Sequence, residues 1–144
     1  MLGRHHIVAA VLMLLLSGCM ATPSCLPGEE DFTESRLYFG RSIAGQPEPD
    51  AVTDADWATF VTTEITPRFP GGFTVLDGTG HWRGDEGGTT EREYSKVLEV
   101  LSPEPERAQA AEKLAAIAQA YRVRFRQQAV LQSSGTVCTR FHAE

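Results

Sequence analysis

His81, Trp82 and Arg83 stand consecutively, with Asp77 just upstream and Glu93 and Ser95 beyond a glycine-rich connection. An imidazole beside a carboxylate can act as general acid and base near neutral pH. Adding the Ser95 hydroxyl draws the outline of a hydrolase triad of His81, Asp77 and Ser95. No Gly-x-Ser-x-Gly elbow surrounds that serine, however, so no recognisable motif places a nucleophile. The competing reading of His81 is a surface-strand histidine whose ring pairs with a neighbouring carboxylate. Catalytic residues are therefore left unassigned.

A second set, Arg68, Arg83, Glu91, Arg92 and Glu93, is better suited to binding than to catalysis. An arginine fork matches a carboxylate or phosphate bidentately. The alternative is a lattice of Arg–Glu pairs tying adjacent strands together. Trp82 is similarly ambiguous, since an indole can floor a ligand pocket or sit in a core under a helix, and the core is the expectation. The ligand-binding candidates are Arg68, His81, Trp82, Arg83 and Glu93.

A metal centre needs His, Cys and carboxylates at ligand spacing, and His81 and His142 lie far apart in the chain. Asp54 and Asp56 lack the twelve-residue loop and closing Glu of a calcium site and suit a helix cap better. Gly71-Gly72 and Gly78-x-Gly80 lack the phosphate-loop ending in Gly-Lys-Ser/Thr and are turn chemistry. No metal and no cofactor is expected. Of three cysteines, Cys19 has a separate role proposed below, leaving Cys25 and Cys138 as an even pair. A disulfide between them suits an exported protein, and loop closure gives it about 4–5 kcal/mol. Two free thiols are the alternative.

These residues need elements to hold them. Arg36 to Ile43 alternates, with Leu37, Phe39 and Ile43 on one face and Arg36, Tyr38 and Ser42 on the other, which predicts a strand that Arg41 interrupts near its end. Thr53-Asp54-Ala55-Asp56 caps a helix whose stripe is Trp57, Phe60, Val61 and Ile65, stopped by Pro67 and Pro70. Gly72 to Arg83 and Glu91 to Leu101 read as two further strands, with Asp77-Gly78 a possible turn or bulge in the first. In the second, Tyr94, Lys96, Leu98 and Val100 share a face and Val97 and Leu101 oppose them. Glu106 to Gln127 is the clearest helix, with Ala111, Leu114, Ala115, Ala118, Tyr121 and Phe125 on one stripe. Arg122, Arg124 and Arg126 are solvated charge near its C-terminus. Ala129 to Phe141 is a last strand. The order strand, helix, strand, strand, helix, strand predicts a ferredoxin-like α+β fold: a four-stranded antiparallel sheet with two helices on one face.

The net charge of −6 argues against nucleic-acid binding and against docking to anionic headgroups through the protein surface. At the N-terminus, Arg4 precedes the uncharged run Ile7 to Leu16, which ends in Leu16-Ser17-Gly18-Cys19. A basic start, a short apolar stretch and small residues make a secretory signal. Ten apolar residues are too few to span a hydrocarbon core of about 30 Å as a helix. Cys19 after Leu-Ser-Gly resembles the lipobox of bacterial lipoproteins, in which that thiol is acylated and becomes the new N-terminus. Two or three acyl chains suffice for stable anchoring. The resemblance implies a signal peptide over 1–18, a lipidated, palmitate-bearing Cys19 opening a tether over 19–34, and one domain over 35–144. Met20 in place of Asp suits transfer to the periplasmic face of the outer membrane.

The stretch Leu37-Tyr38-Phe39-Gly40-Arg41, then Trp57, then Thr66-Pro67-Arg68-Phe69-Pro70-Gly71-Gly72-Phe73-Thr74-Val75-Leu76-Asp77 carries a further likeness. Together with Gly80-His81-Trp82-Arg83, Glu93 and Ser95, it resembles an uncharacterised family of small bacterial exported proteins, from about Ser35 to Phe141. That resemblance implies domain extent and location and brings no activity with it. The expected function is a membrane-anchored binding or accessory module for a small anionic ligand or an envelope protein. The alternative is a small cofactor-free enzyme whose pocket forms between the paired sheets of a homodimer.

Overall fold

The computed structural model describes residues 25–43, 51–83 and 90–142. The expected signal peptide, Cys19, most of the stretch from Ala44 to Ala51, which reads as a loop with Gly45, Pro47 and Pro49, and most of the connection from Asp85 to Thr90 lie outside them.

Strand β1 spans Glu30–Gly40. Thr33, Ser35, Leu37 and Phe39 are buried on one face, while Glu34, Arg36, Tyr38 and Gly40 on the other are half-buried. It starts six residues before the predicted Arg36, because its first part carries too little apolar alternation to be read as strand. Pairing satisfies that stretch instead: Glu30 and Asp31 lie opposite Thr139 and Cys138. Arg41 is buried without penalty, since its Nε donates to the Val52 carbonyl at 2.7 Å and Nη1 lies 3.2 Å from Asp54.

Helix α1, Asp54–Phe60, opens with the expected cap. The Thr53 hydroxyl accepts from the Asp56 N–H at 3.1 Å, and the Asp56 carboxylate accepts the Thr53 N–H and hydroxyl. Those bonds hold the Asp56 pKa below the ordinary carboxylate value. Over Val61–Ile65 the helix widens to π geometry. The Thr59, Thr62 and Thr63 hydroxyls donate to carbonyls four residues back and compete with the regular ladder there.

Strands β2, Thr74–Trp82, and β3, Glu91–Pro103, follow. β2 runs through Asp77-Gly78 with unbroken register, so no bulge forms. Helix α2, Arg107–Arg124, buries Ala110, Leu114, Ile117 and Tyr121, with Phe125 buried just beyond it. The stripe thus passes through Ala110 and Ile117, and the expected Ala111 and Ala115 face solvent. Arg126 takes φ 51°, and the Gln127 N–H donates to the Arg122 carbonyl at 3.0 Å, the closure that ends many helices. Strand β4 is Leu131–Thr139.

The four strands form one antiparallel sheet in the order β2-β3-β1-β4. Both helices cover one face, as predicted. Between sheet and helices, Phe39, Trp57, Phe60, Tyr121 and Phe125 form an aromatic cluster joined to Leu37, Ile65, Leu98, Val100, Leu114 and Ile117. The Tyr121 hydroxyl donates to the Gly40 carbonyl at 2.9 Å, and burial pushes that phenol far above its ordinary pKa, so it stays neutral. Cys25 and Cys138 are disulfide-bonded, with 113 residues of separation.

Candidate functional site

The sheet face away from the helices carries the candidate site. Strand alternation sends Leu76, Gly78, Gly80 and Trp82 of β2 to that face, together with Glu91, Glu93, Ser95, Val97, Glu99 and Leu101 of β3. The pairing then arranges these residues in rows across the strands. Leu76 lies opposite Val97, Val97 opposite Tyr38, and Tyr38 opposite Leu131, so one apolar row crosses all four strands. Leu76 is 48% and Leu131 65% exposed. The next row, two residues along, is Thr74, Glu99, Arg36 and Ser133. Arg36 Nε donates to Glu99 at 2.8 Å and Nη2 to Glu34 at 2.8 Å. The Glu99 hydrogen bond raises the guanidinium pKa further.

On the other side of the apolar row the face is stripped down. Gly78, Ser95 and Gly40 form one short row, and Gly80 lies opposite Glu93 in the next. They make a shallow trough with Trp82, 42% exposed, beyond it. The Glu93 carboxylate lies over Gly40 and accepts the Ser42 N–H at 3.3 Å. A Cβ on Gly40 would come 2.6 Å from Glu93 Oε2, closer than any real contact. The carboxylate is the movable end of a flexible side chain, so Gly40→Ala should cost the fold only about 1 kcal/mol while expelling Glu93 from the trough. Adding Glu93→Ala should recover most of that loss in a thermal melt. A non-recovering double variant would place the strain in the backbone.

The structure separates most of the residues grouped from sequence. Trp82 and Glu93 share the open face, and Trp82 is on the surface rather than in the core. Asp77 and His81 alternate to the opposite face of β2, whereas Ser95 pairs with Gly78 on the open face. The hydrolase triad cannot form across the sheet. Asp77 instead pairs with Lys96, which also lies 3.4 Å from Asp54. His81 lies opposite Arg92, whose guanidinium sits 5.0 Å over the Tyr94 ring. Arg83 follows the end of β2 and is exposed.

Arg68 is elsewhere altogether. Its Nη1 donates to the Glu64 carbonyl at 2.7 Å and carboxylate at 2.8 Å, closing the end of the first helix. It lines a cleft of about 360 Å³ with Phe69, Val100, Pro103, Lys113 and Phe141. Seven or so strand residues, roughly 23 Å, separate that cleft from the trough. Among the described residues lining that cleft Arg68 is the one arginine, so Arg83 does not join it there.

Cys25, Asp31 and Cys138 bring three ligand-type atoms within 4.8 Å of one another. The two sulfurs are bonded to each other, so neither is the thiolate a metal would need. Sequence reasoning missed the apolar row and the Arg36 clamp. The alternation that places Tyr38 and Val97 on the face opposite the core residues is the available signal. Their union with Leu76 and Leu131 depends on register.

Comparison with known proteins agrees with the architecture. A solved structure of a phage SAM lyase in complex with S-methyl-5'-thioadenosine is similar with a TM-score of 0.54 and 14% identity, over 83% of this chain and 95% of that one. A phage SAM lyase in the apo state gives 0.48 and 13%, over 84% and 97%. At 14% identity the first of these likenesses is one of fold. No curated protein matches the chain. Residues 34–141 match the family described as protein of unknown function (DUF3574).

Proposed function

The chain belongs to the DUF3574 family of proteins of unknown function, and we propose that it is a lipid-anchored binding module of the bacterial envelope that engages a protein partner through the open face of its sheet. The observation that carries this reading is the apolar row Leu76, Val97, Tyr38 and Leu131, continuous across four strands and uncovered by either helix. An apolar stripe with a charged rim is the usual mark of a docking surface. The charges on that face favour a protein over the small anion expected from the arginines. Arg36 is already held by Glu34 and Glu99, and two more carboxylates, Glu91 and Glu93, lie further along β3 on the same face.

The lipid supplies the location. Acylation at Cys19, after removal of residues 1–18, would leave six residues before Cys25, a reach of at most about 20 Å. Cys25 is bonded to Cys138 on β4, so a short tether would hold the sheet close to the bilayer. Met20 suits the periplasmic face of the outer membrane.

A photo-crosslinking residue at position 76, compared with one at position 123 on the exposed side of α2, tests the face in living cells. Adducts are expected at position 76 and not at 123. Equal labelling, or none at 76, would sink the proposal. Separately, Cys19→Ala should move the protein from the membrane to the soluble fraction, and a variant still on the membrane would refute lipidation there.

A second reading, an enzyme, is favoured by one feature. Trp82, Glu93 and Ser95 line a trough that a covering surface would enclose, and the structurally similar phage protein is itself named a lyase. Under that reading Glu93→Gln would abolish turnover of a small molecule while leaving the position-76 adducts intact.

A further inference from the structure

We propose that the partner on the open face is a second copy of this chain, packed sheet against sheet about a two-fold axis parallel to the strands between β1 and β3. The inference rests on the open face being the working surface, and names its occupant. Such an axis turns each cross-strand row over onto itself, end for end. The row Leu76, Val97, Tyr38, Leu131 then lays Leu76 over Leu131 and Val97 over Tyr38 of the second copy, apolar on apolar throughout. The adjoining row Thr74, Glu99, Arg36, Ser133 lays Arg36 over Glu99 and Glu99 over Arg36, while Thr74 meets Ser133. The face is therefore complementary to itself in both hydropathy and charge, as a two-fold interface requires.

The chemistry of Arg36 allows the exchange. A guanidinium has five N–H donors, and within the chain Nε and Nη2 serve Glu99 and Glu34. Donors remain for a carboxylate arriving from the opposing sheet. Aligned sheets pack about 10 Å apart with their strands within about 30° of each other. That twist concentrates contact at the centre of the face, where these two rows lie. About that axis β3 lies over β1 for nine positions and β2 over β4 for three, roughly 400 Å² of flat sheet per partner before side-chain relief, about half that of an ordinary stable interface and centred on these two rows. The trough of Gly40, Gly78, Gly80 and Ser95 offers little side-chain bulk, so the pairing would leave a cavity there beside Glu93.

Charge reversal separates this arrangement from every other. Two epitope-tagged forms of the full-length chain are co-expressed, extracted in mild detergent and tested for co-purification. The unsubstituted pair should co-purify. Arg36→Glu sets four carboxylates against one another, and Glu99→Arg sets four cations together, so each variant should lose self-association by at least tenfold. Arg36→Glu mixed with Glu99→Arg restores both intermolecular pairs and should recover it, although neither chain regains its internal pair. That recovery has no explanation in folding. Leu131→Glu, at an exposed edge position, should also dissociate the pair while keeping the circular dichroism of the parent. Self-association that survives Arg36→Glu or Leu131→Glu, or a mixture of the two charge variants that fails to recover, would overturn the proposal. An unsubstituted chain that does not self-associate, yet still crosslinks at position 76 to a different protein, would overturn the second copy and leave the open face standing. Absence of both would end both.

Discussion

Replacing Cys138 with serine should lower the stability of the domain by about 4–5 kcal/mol, the largest effect expected of any single change outside the aromatic core. The bond to Cys25 closes a loop with 113 residues of separation, nearly the whole described domain. The unfolded chain gains entropy when that loop opens, and the loop-closure relation gives this magnitude. The loss is a large fraction of the about 5–15 kcal/mol that holds a domain of this size. In urea, with a slope of about 2 kcal/mol per molar, the midpoint should fall by roughly 2–2.5 M. Cys25→Ser should give the same loss, and the double variant nothing more, because all three open the same bond. Unequal single variants, or losses below about 1 kcal/mol, would refute this account.

Phe39→Ala should cost about 3–5 kcal/mol. Phe39 is fully buried at the centre of the aromatic cluster, with ring centroids 4.6 Å from Tyr121, 5.2 Å from Trp57 and 6.2 Å from Phe60. Three elements meet on that ring: β1, on which it lies, α1 and α2. Its removal leaves a cavity that rigid aromatic neighbours cannot collapse to fill. Tyr38, the preceding residue, points to the other face and contributes instead to the apolar row. Tyr38→Ala should therefore cost no more than about 1 kcal/mol in a denaturant melt while strongly weakening association. Two adjacent residues would thus give opposite phenotypes, one in stability and one in binding. A Tyr38 variant as unstable as the Phe39 variant would contradict the assignment of faces.

Much of the fold was legible because its signals are local. The Thr53–Asp56 capping box, the stripe from Trp57 to Ile65 and the alternation of Leu37, Phe39 and Tyr38 lie within a few residues of one another. The start of β1 was not, since Glu30 and Asp31 are strand only through their pairing with β4. The bulge expected at Asp77-Gly78 failed for a similar reason. Pairing along the whole of β2 with β3 outweighs the local preference of that dipeptide for a turn.

The candidate site was less legible. Trp82 and Glu93 were singled out as binding candidates and do share a face, but Arg68 lies at the far end of β3, and His81 on the reverse of β2. Proximity in sequence had grouped Asp77, His81 and Ser95, and strand alternation divides them. The sequence alone determined the order and type of the elements, the two opposing faces of each strand, the acidic charge and the likeness of Cys19 to a lipidation site. These follow from periodicity and from neighbouring residues. Only the tertiary structure decided which sheet face the helices leave bare, and that Leu76, Val97, Tyr38 and Leu131 form one row across it. Register between strands far apart in the chain is set by the burial of the whole core, and no local pattern contains it.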